Sequence, residues 1–491
     1  MPRTFRTAAF WIVAALLAVA HAIVLWQSLT ATRLWEDEAF NLTVPVNLLR
    51  GLGYTSDGTL SGSELTPYDA RISTGPAVLL PIAAVLATGA DLVVGARLVP
   101  AAYFVALLVA VGILGNRMGG RWAALVAVTV PLAFTAAALP SPIQGPADVL
   151  GEVPAAALLA WALVALRRRP WLAGLLVGLA IQAKYIALLS LPAFIVAVLL
   201  LLLQHGRPWL QRFRALIVPA VALAVPTLLV EVIAFIALGP AGFVDHLRAT
   251  RDFIRSGGQV AHTTFAEKLT TLASSWYLPP ALVIVAVVVA VAVLVVGLLL
   301  RFPPRRTDRF WATLAAEPRT HLAVAAVLGF GAFVGWWSTA GHLPLWVRHP
   351  APGILAFAPV LVAALVPALR QLWRSGTAAR AASVVVSAAL VGCLAVPAVS
   401  AAATAAARDG AELEQQREQA SAVASVDAEW VATHWGVLVG VVVMSGSHVA
   451  LLDAPPENIA GFPRLEPGGA DLCGEAASLA EAPGVVVCPT N

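Results

Sequence analysis

The amino-acid sequence predicts an all-α polytopic membrane protein with about eleven transmembrane helices, followed by a small external C-terminal α/β cap. Hydrophobic residues make up 59% of the 491 residues and charged residues only 12%, and the mean hydropathy is +0.84. These values lie far outside the range of soluble globular domains. Apolar runs recur along the chain at lengths near the roughly 20 residues that a helix needs to cross a bilayer. Most of the arginines between these runs fall on one predicted side of the membrane, as the positive-inside rule requires.

The first apolar run, about residues 8–29, follows two arginines and resembles a signal peptide. The run is long and no small-residue cleavage motif precedes Arg33, so we interpret it as a retained helix with a cytoplasmic N-terminus. The polar residues 30–75 then form the first external loop. The next apolar segment, 76–88, has only about 13 residues and contains prolines, which favours a re-entrant or interfacial segment over a span.

The later spans follow from the apolar runs and from arginines on their cytoplasmic side. The run 171–204 is too long for one span and is basic at both ends, which predicts a hairpin with its outer bend near Leu189–Pro192. The predicted external loop 239–275 is the exception to the arginine rule, because it carries Arg248, Arg251, Arg255 and Lys268. The remaining predicted spans are about 93–115, 122–139, 153–166, 215–238, 277–300, 320–338, 352–369 and 381–403.

Residues 1–403 are therefore a predicted transmembrane domain, and residues 404–491 a predicted cap domain outside a bacterial plasma membrane. The tail combines acidic residues, Pro/Gly-rich loops and short β-branched runs. One of these runs, Val437–Met444, is too short to span a bilayer and predicts a buried strand. Cys473 and Cys488 both lie in the tail, and an external location predicts a disulfide bond between them.

An acidic cluster, Glu36, Asp37 and Glu38, comes directly after the first span. Three carboxylates at the mouth of an apolar helix are costly to desolvate, which indicates acid–base chemistry on a substrate at the membrane surface. Successive helical residues point about 100° apart, so the three cannot face one site, whereas Asp37 shares a face with Asn41. The alternative is an acidic first turn that stabilises an interfacial helix through its dipole.

Short motifs follow the first span in a defined order. The segments are Asp37-Glu38-Ala39, Leu49-Arg50-Gly51-Leu52-Gly53-Tyr54, Ser73-Thr74-Gly75-Pro76, Leu80-Pro81, Gly95-Ala96-Arg97-Leu98-Val99-Pro100, Gly119-Gly120-Arg121, Ala173-Gly174-Leu175, Gly178-Leu179-Ala180 and Lys184. Their order and spacing over residues 8–205 resemble the GT-C glycosyltransferases that use lipid-linked sugars. That group contains protein O-mannosyltransferases, aminoarabinose transferases and actinobacterial cell-wall arabinosyl- and mannosyltransferases. Beyond residue 205 the resemblance extends only to general topology.

The resemblance implies a GT-C-like fold and transfer of a sugar from a polyprenyl-phosphate donor to a hydroxyl of a glycan, lipid or protein acceptor. Carried over by position, Asp37 is the candidate catalytic base and Glu38 its partner, with Glu36 an additional acid that this chain carries. The family often has a second acidic residue in the next external loop, where Asp148 and Glu152 are the candidates. Both could instead cap the outer end of the span that follows them.

Three basic residues are candidates for binding the donor phosphate. Lys184 is one of two lysines among 31 Lys and Arg residues and lies in an apolar run, where an ammonium group should face a cavity or an anion. Snorkelling to the lipid headgroups is the alternative. Arg348 and His349 resemble the family's basic-aromatic element before a late span, and arginine can bind phosphate with two parallel hydrogen bonds. Arg248, Arg251 and Arg255 would form one cationic helix face, for which membrane lipids are the commoner partners.

Several functional classes find no support in the sequence. No P-loop, dinucleotide-binding glycine pattern or Cys/His metal spacing is present, and the net charge of +4 reflects basic loops facing anionic lipid instead of nucleic acid. No cofactor is established, and a divalent metal ion remains an open alternative. A lipid or glycan transporter or flippase is the rival function, since broken helices and charges within the membrane also suit it. Against it, the carboxylates cluster at the outer mouth and no internal repeat relates the two halves.

Overall fold

The computed structural model describes residues 3–57, 63–69, 71–134, 143–202, 209–256, 262–301 and 317–490. Helices dominate this part of the chain. Fourteen of them, up to residue 406, are numbered here in chain order. Helices α1 to α14 span Arg3–Thr30, Glu36–Leu49, Pro76–Leu86, Leu92–Gly119, Arg121–Ala133, Glu152–Ala165, Pro170–Ala183, Leu191–Leu202, Trp209–Ser256, Phe265–Ser274, Pro280–Arg301, Pro318–Thr339, Ala351–Arg374 and Thr377–Ala406.

Eight stretches of helix among the described residues are long and apolar enough to cross a membrane. The protein is therefore a multi-pass membrane protein, which confirms the predicted class. The predicted number of about eleven spans is not reproduced by this criterion. Three of the predicted spans correspond to the shorter apolar helices α5, α6 and α7, which have 13, 14 and 14 residues. The predicted interfacial segment 76–88 contains the 11-residue helix α3.

The predicted external loop 239–275 is wrong as a loop, because most of its described residues are helical. Helix α9 kinks at Gly239, whose φ is +68°, and then continues to Ser256. Glycine accepts this φ without a Cβ clash, and Pro240 suits the first position of the helix that resumes after it. Two of the arginines that break the positive-inside rule form local, exposed ion pairs here. Arg248 lies 2.9 Å from Asp245, and Arg251 lies 3.0 Å from Asp252.

The predicted hairpin within 171–204 corresponds to two helices separated by a six-residue 3₁₀ segment, Tyr185–Ser190. Helix α7 ends at Ala183, and Lys184 is extended. Helix α7 packs closely on α9 through two glycines. A Cβ atom added at Gly174 or Gly178 would lie 2.1 Å or 2.3 Å from a backbone carbonyl oxygen of α9, so only glycine fits at these two contacts.

The chain divides into two compact units. The first unit comprises residues 1–24, 103–144 and 152–405, and its described part is a helical bundle. The second comprises residues 25–102, 145–151 and 406–491. It contains helices α2 and α3, a short antiparallel pairing of β1 (Thr55–Ser56) with β2 (Thr66–Pro67), and the whole C-terminal tail.

The C-terminal tail contains a five-stranded mixed sheet with strand order β4-β3-β5-β7-β6. Strand β3 is parallel to both β4 and β5, whereas β7 is antiparallel to β5 and β6. Cys473 and Cys488 are joined by the predicted disulfide, with their Cα atoms 5.1 Å apart. The strands β3 to β7 span Trp430–Thr433, His448–Leu451, Arg464–Pro467, Ala480–Ala482 and Val485–Cys488. Three further helices, α15 to α17, span Ala411–Ala424, Val437–Ser445 and Pro456–Ile459.

The predicted buried strand at Val437–Met444 is wrong, because this segment is the helix α16. Its β-branched run favours a strand by intrinsic preference, but burial and neighbouring contacts override that preference. Positive-φ glycines, Gly436 and Gly446, bound the helix at its two ends. Gly440 lets the helix backbone lie against the chain at Leu34, since an added Cβ would be 2.5 Å from the Leu34 carbonyl oxygen.

Candidate active site

The three acidic residues of the first external loop form the first turn of helix α2. The N-cap residue Trp35 is extended and makes no side-chain capping bond, so the free N–H groups of this turn are complemented by the negative charge of the turn itself. Glu38 is fully buried, whereas Glu36 and Asp37 are half-buried. The structure therefore gives the three carboxylates different environments, as the helical geometry predicts.

Glu38 forms a fully buried ion pair with Arg97. The guanidinium donates from Nε to Oε1 at 3.0 Å and from Nη2 to Oε2 at 2.6 Å, and neither side chain is exposed. Arg97 also donates to the carbonyl oxygens of Thr32 and Arg33, at 2.7 Å and 3.0 Å. The Val149 N–H donates to Glu38 Oε1 at 2.9 Å. This two-bonded geometry fixes the start of helix α2 against two other segments of the second unit.

Asn41, one turn after Asp37, fixes the same helix through its amide. Its Nδ2 donates to Thr74 Oγ1 at 3.0 Å and to the Val149 carbonyl oxygen at 2.8 Å. Its Oδ1 accepts from the Tyr68 hydroxyl at 2.8 Å and from Ser73 Oγ at 2.9 Å. All four hydrogen-bonding positions of the amide are used, so Asn41 holds Tyr68, Ser73 and Thr74 against helix α2.

Asp37 lies near Tyr68, on the less buried side of this network. Burial is the largest cause that raises the pKa of Tyr68 above its ordinary value, and the charges of Asp37 and Asp69 raise it further. The Tyr68 hydroxyl therefore stays protonated and donates its hydrogen bond to Asn41. Asp37 is therefore a half-buried acid whose charge raises the pKa of the Tyr68 hydroxyl.

Asp57 and Gln416 link helix α2 and the residues beside it to the C-terminal tail. Asp57 accepts hydrogen bonds from Asn47 at 2.8 Å and from the Val449 N–H at 2.9 Å, and its Oδ1 lies 3.0 Å from His448 Nδ1. The Gln416 amide pairs with the backbone of Leu34 in both directions, at 2.7 Å and 2.8 Å. The tail thus helps to hold the segment that carries the acidic turn.

The predicted donor-phosphate residues belong to the first unit, where they form a group with excess positive charge. Lys184 Nζ lies 3.0 Å from Glu152 Oε1, and Glu152 is fully buried. Arg348 is 7% exposed, and its guanidinium lies 4.7 Å from the centre of the Trp346 ring. Burial lowers the pKa of His349 well below its ordinary value, and the nearby charges of Arg348, Lys184 and Lys268 lower it further.

Lys268 has a different role from the other cations of this group. Its Nζ is buried and donates to the Trp337 and Ala340 carbonyl oxygens, at 2.7 Å and 2.5 Å. These carbonyls lie at the C-terminal end of helix α12, where a cation complements the helix dipole. Burial lowers the pKa of Lys268. The lysine that breaks the positive-inside rule is thus explained by a helix end that it caps.

Asp148 and Glu152, which the sequence treats as equivalent candidates, have separate surroundings. Asp148 belongs to the second unit, is 2% exposed and contributes negative charge near Arg97. Glu152 begins helix α6 in the first unit and pairs with Lys184. The structure therefore brings Asp148 together with the Glu38–Arg97 pair, and brings Glu152, Lys184, Arg348 and His349 into the second group.

No protein-family model and no curated protein matches the chain. Solved structures do match it over almost its whole length. ArnT from Cupriavidus metallidurans bound to undecaprenyl phosphate superposes with a TM-score of 0.57 at 14% identity, covering 99% of this chain and 98% of ArnT. The apo state of that ArnT gives a TM-score of 0.58 at 12% identity, with 99% and 97% covered. The chain has the GT-C fold.

A second GT-C structure matches at a lower score. Archaeal oligosaccharyltransferase AglB from Archaeoglobus fulgidus, in complex with an inhibitory peptide and a dolichol-phosphate, gives a TM-score of 0.51 at 12% identity. The match covers 93% of this chain and 66% of AglB. At these identities the comparisons show the fold alone, and the predicted GT-C-like architecture is confirmed.

Several residues that organise this GT-C site were not among the predicted site residues. Arg97 had a signal, because a charge at the start of a predicted span needs a partner. Asn41 was noted only as the polar neighbour of Asp37 on its helix face. Asp57, His448 and Gln416 had no local signal, since their contacts join segments that are 391 and 382 residues apart.

A resident metal ion was left open by the sequence. Among the residues that the structure describes in this GT-C fold, no group of three or more His, Cys, Asp and Glu side chains is arranged to hold one. The carboxylates instead contact basic side chains and backbone N–H groups, as in the Glu38–Arg97 and Glu152–Lys184 pairs.

Proposed function

We propose that the protein is a membrane glycosyltransferase that transfers a sugar from a polyprenyl-phosphate carrier to an acceptor hydroxyl. One observation carries the proposal: the half-buried carboxylate of Asp37 is set in a rigid helical turn of a GT-C fold. That fold is shared over 99% of the chain with ArnT bound to undecaprenyl phosphate. Glycan, lipid and protein acceptors are all consistent with this reaction class.

Asp37 is assigned as the general base. A general base must approach the acceptor hydroxyl within hydrogen-bonding reach. Glu38 is unsuited to this role, because it is fully buried and because Arg97 and the Val149 N–H engage both of its oxygens. Its supporting role is to fix the turn on which Asp37 stands. Glu36 is half-buried like Asp37, and we prefer Asp37 because its charge is one of those that raise the pKa of Tyr68.

Lys184 and Arg348 are assigned to the donor phosphate. The described charges around His349 are those of Lys184, Lys268 and Arg348, and Glu152 is the acid that pairs with Lys184. Lys268 donates to backbone carbonyls, so Lys184 and Arg348 are the two cations of this group that we assign to the phosphate, which arginine can bind with two parallel hydrogen bonds. His349 is neutral at physiological pH because of its lowered pKa, so it serves as a hydrogen-bonding group.

The proposed reaction balances without a cofactor. The acceptor oxygen forms a bond to the anomeric carbon of the donor sugar, while the bond from that carbon to the phosphate oxygen breaks. The acceptor proton passes to the Asp37 carboxylate. The leaving group is the polyprenyl phosphate, whose developing negative charge is stabilised by cations in contact with it. No nucleotide takes part, which agrees with the absence of nucleotide-binding motifs from the sequence.

The test is a transfer assay with the purified full chain. Radiolabelled polyprenyl-phosphate sugars carrying different hexoses and pentoses are incubated with the protein and a membrane extract as acceptor source. Label that moves from the lipid carrier to an acceptor in the wild-type protein, and does not move in Asp37→Asn, supports the proposal. Movement of intact labelled donor across proteoliposome membranes without transfer to any acceptor would overturn it in favour of a flippase.

A further inference from the structure

Trp435 is an exposed aromatic residue at the edge of the acidic turn. It is 42% exposed, and its ring centre lies 6.3 Å from that of Phe40 at an interplanar angle of 70°. Phe40 in turn lies 5.6 Å from Tyr68, and Tyr68 lies 5.7 Å from Tyr54. Phe40 and Tyr68 are buried and Tyr54 is half-buried, so Trp435 is the most exposed of these four rings.

The position of Trp435 in the sheet is one where ligands commonly bind. In open α/β sheets, ligands bind outside the carboxyl ends of parallel strands, at the point where successive connections diverge. The connection after β3 leads to β4 on one side, whereas the connection after β5 leads to β6 at the opposite edge of the sheet. His434 and Trp435 directly follow β3, so they lie at this point. Thr433, the last residue of β3, links this strand to β5, because its Oγ1 donates to the Leu465 carbonyl oxygen at 3.0 Å.

Polar side chains accompany the exposed ring. His434 and Asp453, which follow β3 and β4, are 59% and 69% exposed, and their Nδ1 and Oδ1 atoms are 3.5 Å apart. Val437 is the other exposed large apolar residue of the connection that follows β3. A flat ring with hydrogen-bonding groups beside it complements a sugar, which has an apolar C–H face and a hydroxyl edge.

The chain connects this surface to the acidic turn within one compact unit. Phe40 lies three residues after Asp37, so the two side chains are neighbours on the surface of helix α2. The tail is anchored to the same helix where Arg50 Nη2 donates to the Gly446 carbonyl oxygen at 2.6 Å. A ring bound to Trp435 would therefore lie against the aromatic cluster that includes Phe40, which is three residues after the proposed base.

We propose that Trp435, supported from behind by Phe40 and Tyr68, is a stacking platform for a sugar ring of the acceptor. The acceptor is therefore a saccharide-bearing molecule, such as a glycan or glycolipid, and not a polypeptide hydroxyl. This inference rests on the proposed glycosyltransferase function and adds the class of acceptor to it. Contact with membrane lipid is disfavoured, because the exposed polar side chains of His434 and Asp453 belong to the same surface.

The test measures saccharide binding separately from catalysis. The probes are neutral trisaccharides of mannose, galactose and arabinose, and the control ligand is a serine- and threonine-containing hexapeptide. Saturation-transfer NMR and calorimetry are performed on the full chain in a zwitterionic detergent without sugar headgroups. The variants are Trp435→Ala and Trp435→Phe. Trp171→Ala is the matched control, because Trp171 is 47% exposed and lies in helix α7 of the first unit.

We expect the wild-type protein to bind at least one trisaccharide and not the hexapeptide. Loss of the indole should raise the Kd of that trisaccharide about tenfold or more, since a truncated aromatic anchor commonly costs this much. Trp435→Phe and Trp171→Ala should bind close to the wild-type level. In the transfer assay, Trp435→Ala should raise the acceptor KM with little change in kcat, the opposite pattern to Asp37→Asn.

The outcomes distinguish this inference from the proposed function. Equal trisaccharide binding by wild type and Trp435→Ala, at unchanged Tm, would overturn the platform even if transfer occurs. Absence of binding to all three trisaccharides by the wild type would do the same. If anionic phospholipid added to the micelles perturbs the NMR signals of the wild type but not those of Trp435→Ala, and trisaccharides do not compete, the surface is a membrane contact and the inference is wrong. Failure of transfer with every donor would overturn the proposed function, while the binding result would still decide whether Trp435 holds a saccharide.

Discussion

Glu38 and Arg97, 59 residues apart in the sequence, form a fully buried ion pair. Both side chains are fully buried, and the carboxylate receives two hydrogen bonds from the guanidinium and one from the Val149 N–H. The Glu38 carboxylate therefore stabilises the fold, because it could not contact an acceptor hydroxyl without breaking its ion pair with Arg97. The pair therefore gives Glu38 a structural role, which is consistent with our proposal that Asp37 accepts the proton.

Removal of the Glu38 charge should strongly destabilise the protein. Glu38→Gln keeps the shape of the side chain but leaves Arg97 as an uncompensated buried cation, which typically costs about 3–5 kcal/mol. The measurement is the Tm of the purified protein in detergent. Glu36→Gln is the matched control, because Glu36 is half-buried and should change the stability by about 0.5 kcal/mol or less.

A double variant tests whether the loss comes from the pair itself. Glu38→Met combined with Arg97→Leu should cost less than the sum of the two single variants, because each single variant leaves a buried charge alone. Additive losses would contradict the structural account of this pair. A Glu38→Gln protein with wild-type Tm would contradict it as well.

Asp37→Asn should abolish most transfer and leave donor binding intact. The amide keeps the size and hydrogen bonding of the side chain but cannot accept the proton, so turnover should fall about 10²–10⁴-fold. Transfer is measured with a labelled polyprenyl-phosphate sugar, and donor binding is measured separately with the unlabelled lipid. Near-normal turnover in a folded Asp37→Asn protein would move the base to Glu36, and near-normal turnover in Glu36→Gln/Asp37→Asn would remove the catalytic role of the turn.

The long helices could be predicted from the sequence because their apolar runs are longer than any other element needs. The predicted span 320–338, for example, lies within helix α12, Pro318–Thr339. The helix at Val437–Ser445 could not be predicted in this way, since a run of nine mostly β-branched residues has no helical pattern. Its helical state depends on tertiary contacts, such as the close approach of Gly440 to Leu34.

The site was partly predictable for a similar reason. Asp37 and Glu38 stand out locally, and the isolated charge of Lys184 in an apolar run indicates a functional or paired lysine. Which carboxylate pairs with which cation depends on how distant segments pack. No local sequence pattern predicts that Glu38, and not Asp37, pairs with Arg97. Nor does any local pattern predict that Asp57 contacts His448.

His349 should make the stability depend on pH in the mildly acidic range. Its folded-state pKa is lowered by burial and by Arg348, Lys184 and Lys268, so the unfolded state binds the proton more readily. The free energy of unfolding is therefore unaffected by His349 above its unfolded-state pKa of about 6.5. Below that pH it decreases, by up to about 1.4 kcal/mol per pH unit. Unfolding of wild type and His349→Gln is compared between about pH 5 and 7.5. The variant should lose part of this slope, and parallel curves would contradict the assignment.

The disulfide between Cys473 and Cys488 should form only if the tail reaches an oxidising compartment, so it also tests the predicted external position of residues 404–491. Mass spectrometry after alkylation should leave both cysteines unmodified without reductant and modify both after reduction. Cys393, a free cysteine of helix α14, is the internal reference. Closure of a loop with a sequence separation of 15 residues is worth about 3 kcal/mol, so Cys473→Ser should lower the stability of the tail by a similar amount.

In intact cells, a membrane-impermeant reductant followed by an impermeant maleimide should label both residues. Labelling only after permeabilisation would place the tail on the cytoplasmic side, and alkylation of both thiols without reductant would reject the bond.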